Sequence, residues 1–221
     1  MGENNASCPS VNQSRALAWL EANPNVDSYS NFQLIQRYAL RTIYESTNGD
    51  SWFIKTNWQD SATEECTWQF LTCFGNQVVT INFENDPARE IGNNLDGVFP
   101  PEVSIMDWIK RLQMGYNGKL ENEAIQDPDG LDWLGDLTQL TFLGIKANGF
   151  EATGIPTVLG LLTDLLYLDI SKNDFNNEPL DEDLFTNFQE VIFLDIGYNN
   201  YAESTIPTTI GGLPNLSKYG F

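Results

Sequence analysis

The sequence predicts an α/β solenoid, with short parallel strands stacked along a concave face and a helical cap at the N-terminal end. Three observations predict it. One pattern recurs in register: Leu140-x-x-Leu143-x-Ile145-x-x-Asn148-x-Phe150, then Leu165-x-x-Leu168-x-Ile170-x-x-Asn173-x-Phe175, then Val191-x-x-Leu194-x-Ile196-x-x-Asn199-x-Tyr201. Its central leucines step by 25 residues from 143 to 168 and by 26 from 168 to 194. A unit of that length cannot bury its own apolar face and must stack on a neighbour. Finally, an apolar stripe at helical spacing lies ahead of the repeats, within residues 31–47.

Each unit reads as a leucine-rich repeat. The first, fourth and sixth positions of the pattern point inward from a short strand and are apolar. The chain then turns away, and the Asn bonds backbone groups that the turn leaves unpaired.

Composition narrows the function classes. The chain of 221 residues is 41% hydrophobic, enough for one solenoid with a substantial core. A net charge of −20 argues against nucleic acid and against anionic membrane surfaces as partners. The chain has no His, which removes the commonest general base and metal ligand. It shows no phosphate-cradling Gly loop and no nucleophile beside a base. A non-enzymatic protein without cofactor or metal is expected. No apolar run reaches the roughly 20 residues of a membrane span. The first ten residues lack the basic start and apolar centre of a signal peptide, and Ala6 stands where a myristoylation signal needs Ser or Thr.

Residues 1–30 form an N-terminal extension with a short helix, expected from Ser14 to Glu21 with Ser14 as its cap. Glycosylation sequons start at Asn5, Asn12 and Asn215. Residues 31–77 form the helical cap. Phe32, Ile35, Ala39 and Ile43 make the apolar stripe of its helix, and Asn48-Gly49 ends it, with Gly suited to a left-handed terminus. Trp52, Trp58 and Trp68 are expected in the core of the cap, a sugar-binding platform being the alternative. Cys66 and Cys73 bracket Trp68 just ahead of the first repeat. They are read as a disulfide that staples the cap; a zinc site would need more ligands than these two cysteines. A bonded pair implies an oxidising compartment. Cys8 is then left over, free or paired outside this set.

Several stretches carry a family resemblance. They are RALAWL (15–20), LIQRYAL (34–40), STNGDSW (46–52), Asn57-Trp58 and the Cys66-x-Trp68 stretch through Cys73. Together they resemble the cap of plant-type extracellular leucine-rich repeat proteins, and are most similar to the leucine-rich repeat, receptor-like proteins of diatoms. The resemblance implies a secreted or cell-surface protein that works by binding. It leaves the ligand open.

Residues 78–221 hold about five repeats and a partial sixth. The first begins at Val78-x-x-Ile81-x-Phe83 and carries an insertion ahead of Asn94-Leu95-x-Gly97-x-Phe99-Pro100, a tail echoed at Ile155-Pro156 and Ile206-Pro207. The second is Ile109-x-x-Leu112-x-Met114-x-x-Asn117-x-x-Leu120. The step from Leu112 to Leu143 is 31, the excess falling in the acidic stretch 121–136. Leu216-x-x-Tyr219-x-Phe221 opens the partial repeat, which would leave an apolar edge unless the chain continues or a partner covers it.

The outward strand positions define the candidate site. One column reads Thr80, Arg111, Phe142, Tyr167, Phe193, Lys218; the next reads Asn82, Gln113, Gly144, Asp169, Asp195, Gly220. Arg111, Gln113, Tyr116, Phe142, Tyr167, Asp169, Phe193, Asp195 and Tyr198 are the candidate ligand-binding residues. An exposed aromatic column marks a contact surface; the alternative is that the rings stack only to stabilise the sheet. Asp127, Asp129 and Asp132 loosely suggest a calcium loop without its full spacing, a solvated acidic loop being the plainer reading. Asp169 and Asp195, roughly 5 Å apart on adjacent strands, could be imagined as a glycosidase pair, but no cleft is expected around them. The expected function is recognition of a protein, peptide or glycan through the concave sheet. The alternatives are a structural subunit of an extracellular assembly and, by fold analogy alone, an inhibitor of a wall-degrading enzyme.

Overall fold

The computed structural model describes residues 10–121, 130–176, 178–202 and 205–221. Its elements in chain order are α1 (Val11–Glu21), α2 (Asn31–Ser46), β1 (Leu71–Phe74), β2 (Gln77–Asn82), β3 (Glu84–Asp86), β4 (Ile91–Gly92), β5 (Asp96–Val98), β6 (Arg111–Gln113), β7 (Lys119–Glu121), β8 (Phe142–Gly144), β9 (Glu151–Thr153), β10 (Tyr167–Asp169), β11 (Asp174–Asn176), α3 (Glu182–Phe185), β12 (Phe193–Asp195), α4 (Thr208–Gly211) and β13 (Lys218–Gly220).

The fold is a leucine-rich repeat solenoid. Its main sheet has the order β1-β2-β6-β8-β10-β12-β13, parallel from β2 onward. The central inward residues Ile81, Leu112, Leu143, Leu168 and Leu194 fall on one line and are buried. Two smaller parallel pairs, β5 with β7 and β9 with β11, form a second layer where the chain turns away. Short helical turns at Pro101–Ile105, Asp132–Asp136 and Thr157–Leu161, with α3 and α4, close the convex side.

An asparagine ladder joins the turns. The backbone N–H of Asn93 donates to the Asn117 side-chain carbonyl (2.9 Å), that of Asn117 to Asn148 (2.8 Å), that of Asn148 to Asn173 (3.1 Å) and that of Asn173 to Asn199 (3.2 Å). Each side-chain amide from Asn117 onward also donates into its own turn, for example Asn117 to the Met114 and Gly115 carbonyls. The expected role of the Asn therefore holds. The first rung is Asn93; its neighbour Asn94 is left-handed (φ 59) and donates to the Ser51 carbonyl.

In the cap, α1 starts at Val11, ahead of the expected Ser14. Ser10 and Gln13 form a capping box, each side chain bonded to the other's backbone N–H. Ser30 and Gln33 repeat that device at α2. The left-handed residue after α2 is Asn48 (φ 52), and Gly49 serves a different need: a Cβ there would lie 2.3 Å from the Tyr44 ring. Trp52, Trp58 and Trp68 are buried in edge-on and tilted contacts with one another and with Phe83, so they are cap core. Cys66 and Cys73 are bonded, with Cα atoms 5.6 Å apart. That bond ties the helical turn Glu65–Thr67 to β1, which pairs antiparallel with β2 and covers one edge of the parallel sheet.

The insertion in the first repeat is the β3–β4 hairpin. Gly92 N–H donates to the Tyr116 carbonyl (3.2 Å), and Glu90 pairs with Lys172 at 2.5 Å. The hairpin therefore runs along the concave margin from the first repeat to the fourth.

Candidate binding surface on the concave sheet

The strand register brings the predicted columns together residue for residue. Thr80 pairs with Arg111, Arg111 with Phe142, Phe142 with Tyr167, Tyr167 with Phe193 and Phe193 with Lys218. The three rings form a face-to-face stack. Phe142 and Tyr167 have centroids 3.9 Å apart with planes 5° from parallel; Tyr167 and Phe193 are 4.2 Å apart at 4°. The guanidinium of Arg111 lies 3.6 Å from the Phe142 centroid and the ammonium of Lys218 5.1 Å from that of Phe193. Every ring face thus meets another ring or a cation. What remains available is a ridge of ring edges, half-buried, crossing three strands.

Beside the ridge runs a second in-register row. Lys110, Thr141, Leu166, Ile192 and Ser217 continue the backbone ladder, each N–H from Thr141 onward donating to the carbonyl of the residue before it in the row at 2.8–2.9 Å. Leu166 is 41% exposed and Ile192 45%. Sequence reasoning did not single out this row. Its signal was two apolar residues at the same pattern position in consecutive repeats.

On the other flank the polar positions bond to one another. Gln113 accepts from Arg111 Nε (3.2 Å) and Nη2 (2.8 Å) and donates to Glu84 on the inserted hairpin. Asp169 accepts from the Ser171 hydroxyl (2.6 Å) and the Tyr167 hydroxyl (3.3 Å) and pairs with Lys146 at 3.2 Å. Burial pushes the Glu84 carboxyl up, against the pull of the Lys146 ammonium and the Gln113 amide. Burial works to lower the Lys146 pKa, but Asp169 and Glu84 override it and the ammonium is held charged. The Tyr167 phenol is raised by burial and by the Asp169 charge.

The candidate residues therefore separate. Arg111, Phe142, Tyr167 and Phe193 form the ridge. Gln113 and Asp169, expected to face solvent, are buried under neighbouring side chains, because Glu84 and Lys146 cover them. Asp195 accepts from the Gly197 N–H (3.1 Å) and fills the space where a Gly220 Cβ would sit. Both imagined catalytic carboxylates thus act as acceptors for the fold's own donors. Tyr116 lies under the Lys146 ammonium (5.0 Å), and Tyr198 is 81% exposed on the margin. Asn215 is exposed and donates to the Gln189 carbonyl; Asn12 is on α1. Asn5, Cys8, Asp127 and Asp129 lie outside the described residues. Among the described residues no cluster of three metal-ligating side chains is found, and no helix is long and apolar enough to cross a membrane.

The architecture defines the class: a leucine-rich repeat solenoid with a disulfide-stapled cap and an ordered concave surface. No protein-family model matches the chain. A curated relative, Cuscuta receptor 1 of Solanum lycopersicum, is 31% identical over an alignment of 130 residues, and the match covers 50% of this chain. The chain spans only 12% of that relative's length. Among solved structures, the leucine-rich repeat ectodomain of the receptor kinase SOBIR1 from Arabidopsis thaliana aligns at a TM-score of 0.62 and 18% identity, over 87% of this chain and 93% of that one. A plant ice-binding protein aligns at 0.60 and 18%, over 96% of this chain and 56% of that one. The sequence match is to a receptor and the fold match is to a receptor-kinase ectodomain; a particular similarity to diatom proteins is not shown.

Proposed function

We propose that the chain is an extracellular recognition module that binds an extended peptide, or an extended segment of a protein, across its concave sheet. The observation that carries this reading is the cation-capped ring stack from Arg111 to Lys218, with Leu166 and Ile192 exposed beside it. A stack that served stability alone has no need of an exposed apolar row at its side. A glycan fits this surface less well, because sugars pack on ring faces and every face in the column already meets a neighbour. The Cys66–Cys73 bond fits an oxidising compartment. The receptor named among the relatives and the receptor-kinase ectodomain among the structures support recognition as the class of function.

The test is a selection of random-sequence peptides displayed on phage, with depletion on the Tyr167→Ala, Phe193→Ala double variant. Recovery of peptides that bind the wild type saturably and the variant at least tenfold more weakly supports the reading. Peptides that bind both proteins alike, or none that bind at all, contradict it.

A further inference from the structure

The concave band has a charge pattern as well as a shape. The chain has 11 basic residues against 31 acidic ones, yet three of the 11 bound this one band. Lys110 and Arg111 stand side by side on one side of the ridge, and Lys218 stands beyond Phe193 on the other. Between them the two rows hold Phe142, Tyr167 and Phe193 beside Thr141, Leu166 and Ile192, with no charge among them. Lys110 and Lys218 are exposed. Lys110 bonds only a neutral group among the described residues, the Gln139 amide (2.9 Å), and Lys218 caps the Phe193 ring. The other cations of the concave side, Lys146 and Lys172, are already matched by Asp169 and Glu90.

We infer that the band selects a peptide with an apolar middle and an acidic residue at each end. The reach follows from sheet geometry. From β6 to β13 there are four strand steps, about 19 Å at the usual strand spacing, and an extended peptide covers that in about six residues. The acidic residues of the ligand would thus be separated by about five apolar or small ones. Such a ligand meets attraction at its ends, whereas a basic one meets repulsion there. On a surface that otherwise repels acidic chains, the two cationic ends fix where and in what register an acidic peptide settles. Exposed ion pairs are individually weak, so three together give about tenfold discrimination rather than a thousandfold.

This inference rests on the concave-face reading, and the experiment separates the two. Three labelled peptides with the same apolar middle are titrated by fluorescence anisotropy, carrying Asp, Ser or Lys at both ends. The wild type is expected to bind the Asp-ended peptide about tenfold more tightly than the Lys-ended one, with the ratio shrinking as salt is raised. The Lys110→Glu, Lys218→Glu double variant, altered only at exposed side chains, is expected to invert that order. If all three peptides bind the wild type equally, or if the Asp-ended peptide keeps its advantage on the double variant, the acidic-end inference is overturned and concave-face binding stands. If none binds at up to about 1 mM, both are overturned.

Discussion

Phe142 and Tyr167 lie face to face with ring centroids 3.9 Å apart and planes 5° from parallel. The parallel register sets this, since two residues directly opposite on neighbouring strands share a direction and a height above the sheet. Phe193 adds a third ring, and Arg111 and Lys218 close the two ends. The column is therefore a built element of the sheet as well as the proposed contact surface. Its stability role can be measured by itself.

Tyr167 has a ring on each side. Tyr167→Ala removes two stacked contacts and the burial of half a side chain, and is expected to cost about 2–3 kcal/mol in urea unfolding. A loss below about 0.5 kcal/mol, the level of an ordinary surface change, would show that the stack adds nothing to stability.

The asparagine ladder is expected to cost more per residue than the exposed Asn of the same turns. The Asn173 side chain accepts from Asn148 N–H and donates to the Ile145 and Ile170 carbonyls. Asn173→Ala strands those groups and should cost about 3 kcal/mol. Exposed Asn200 has no part in the ladder, so Asn200→Ala should stay within about 0.5 kcal/mol. Equal effects of the two substitutions would refute the ladder's role.

Glu84 sets a pH dependence. Burial raises its carboxyl pKa in the folded state, so the folded state binds more protons than the unfolded one between the two values. Its contribution is most favourable below the unfolded value of about 4.3 and is lost as pH rises through the folded value. Glu84→Gln keeps the shape and removes the charge. The stability of this variant relative to wild type should increase from pH 4 to pH 7 in thermal melts. A difference that is flat or falls with pH would contradict the burial of a charged Glu84.

The Cys66–Cys73 bond closes a short loop at the sheet edge. Cys66→Ser, Cys73→Ser is expected to lower stability by about 2 kcal/mol, the range for a loop of this size. Unchanged urea unfolding would mean that the packed tryptophans alone hold the cap.

Much of this was legible in the sequence, and for a physical reason. A solenoid repeats one backbone path, so residues at equal pattern positions become neighbours. The columns from Thr80 to Lys218 and from Asn82 to Gly220 could be read without coordinates. The disulfide and α2 followed from equally local signals. What escaped depended on contacts between different pattern positions. Asp169 looked exposed because its partner Lys146 comes from the preceding repeat, two pattern positions further along. Gln113 looked exposed because Glu84 reaches it from the inserted hairpin, which obeys no repeat. The start of α1 was missed because Ser10 and Gln13 form a capping box ahead of a weakly apolar turn.

The central claim is that ligand settles on the concave band. The most direct measurement is the affinity of a display-selected peptide for two variants with a single charge added at an exposed apolar side chain. Ile192 is 45% exposed within the band, and Phe74 is 80% exposed on the edge strand of the cap. Both substitutions should leave folding intact. Ile192→Asp is predicted to weaken binding at least tenfold, about 1.4 kcal/mol, while Phe74→Asp leaves it unchanged. Equal affinity for wild type and Ile192→Asp, or a loss confined to Phe74→Asp, would place recognition elsewhere on the solenoid.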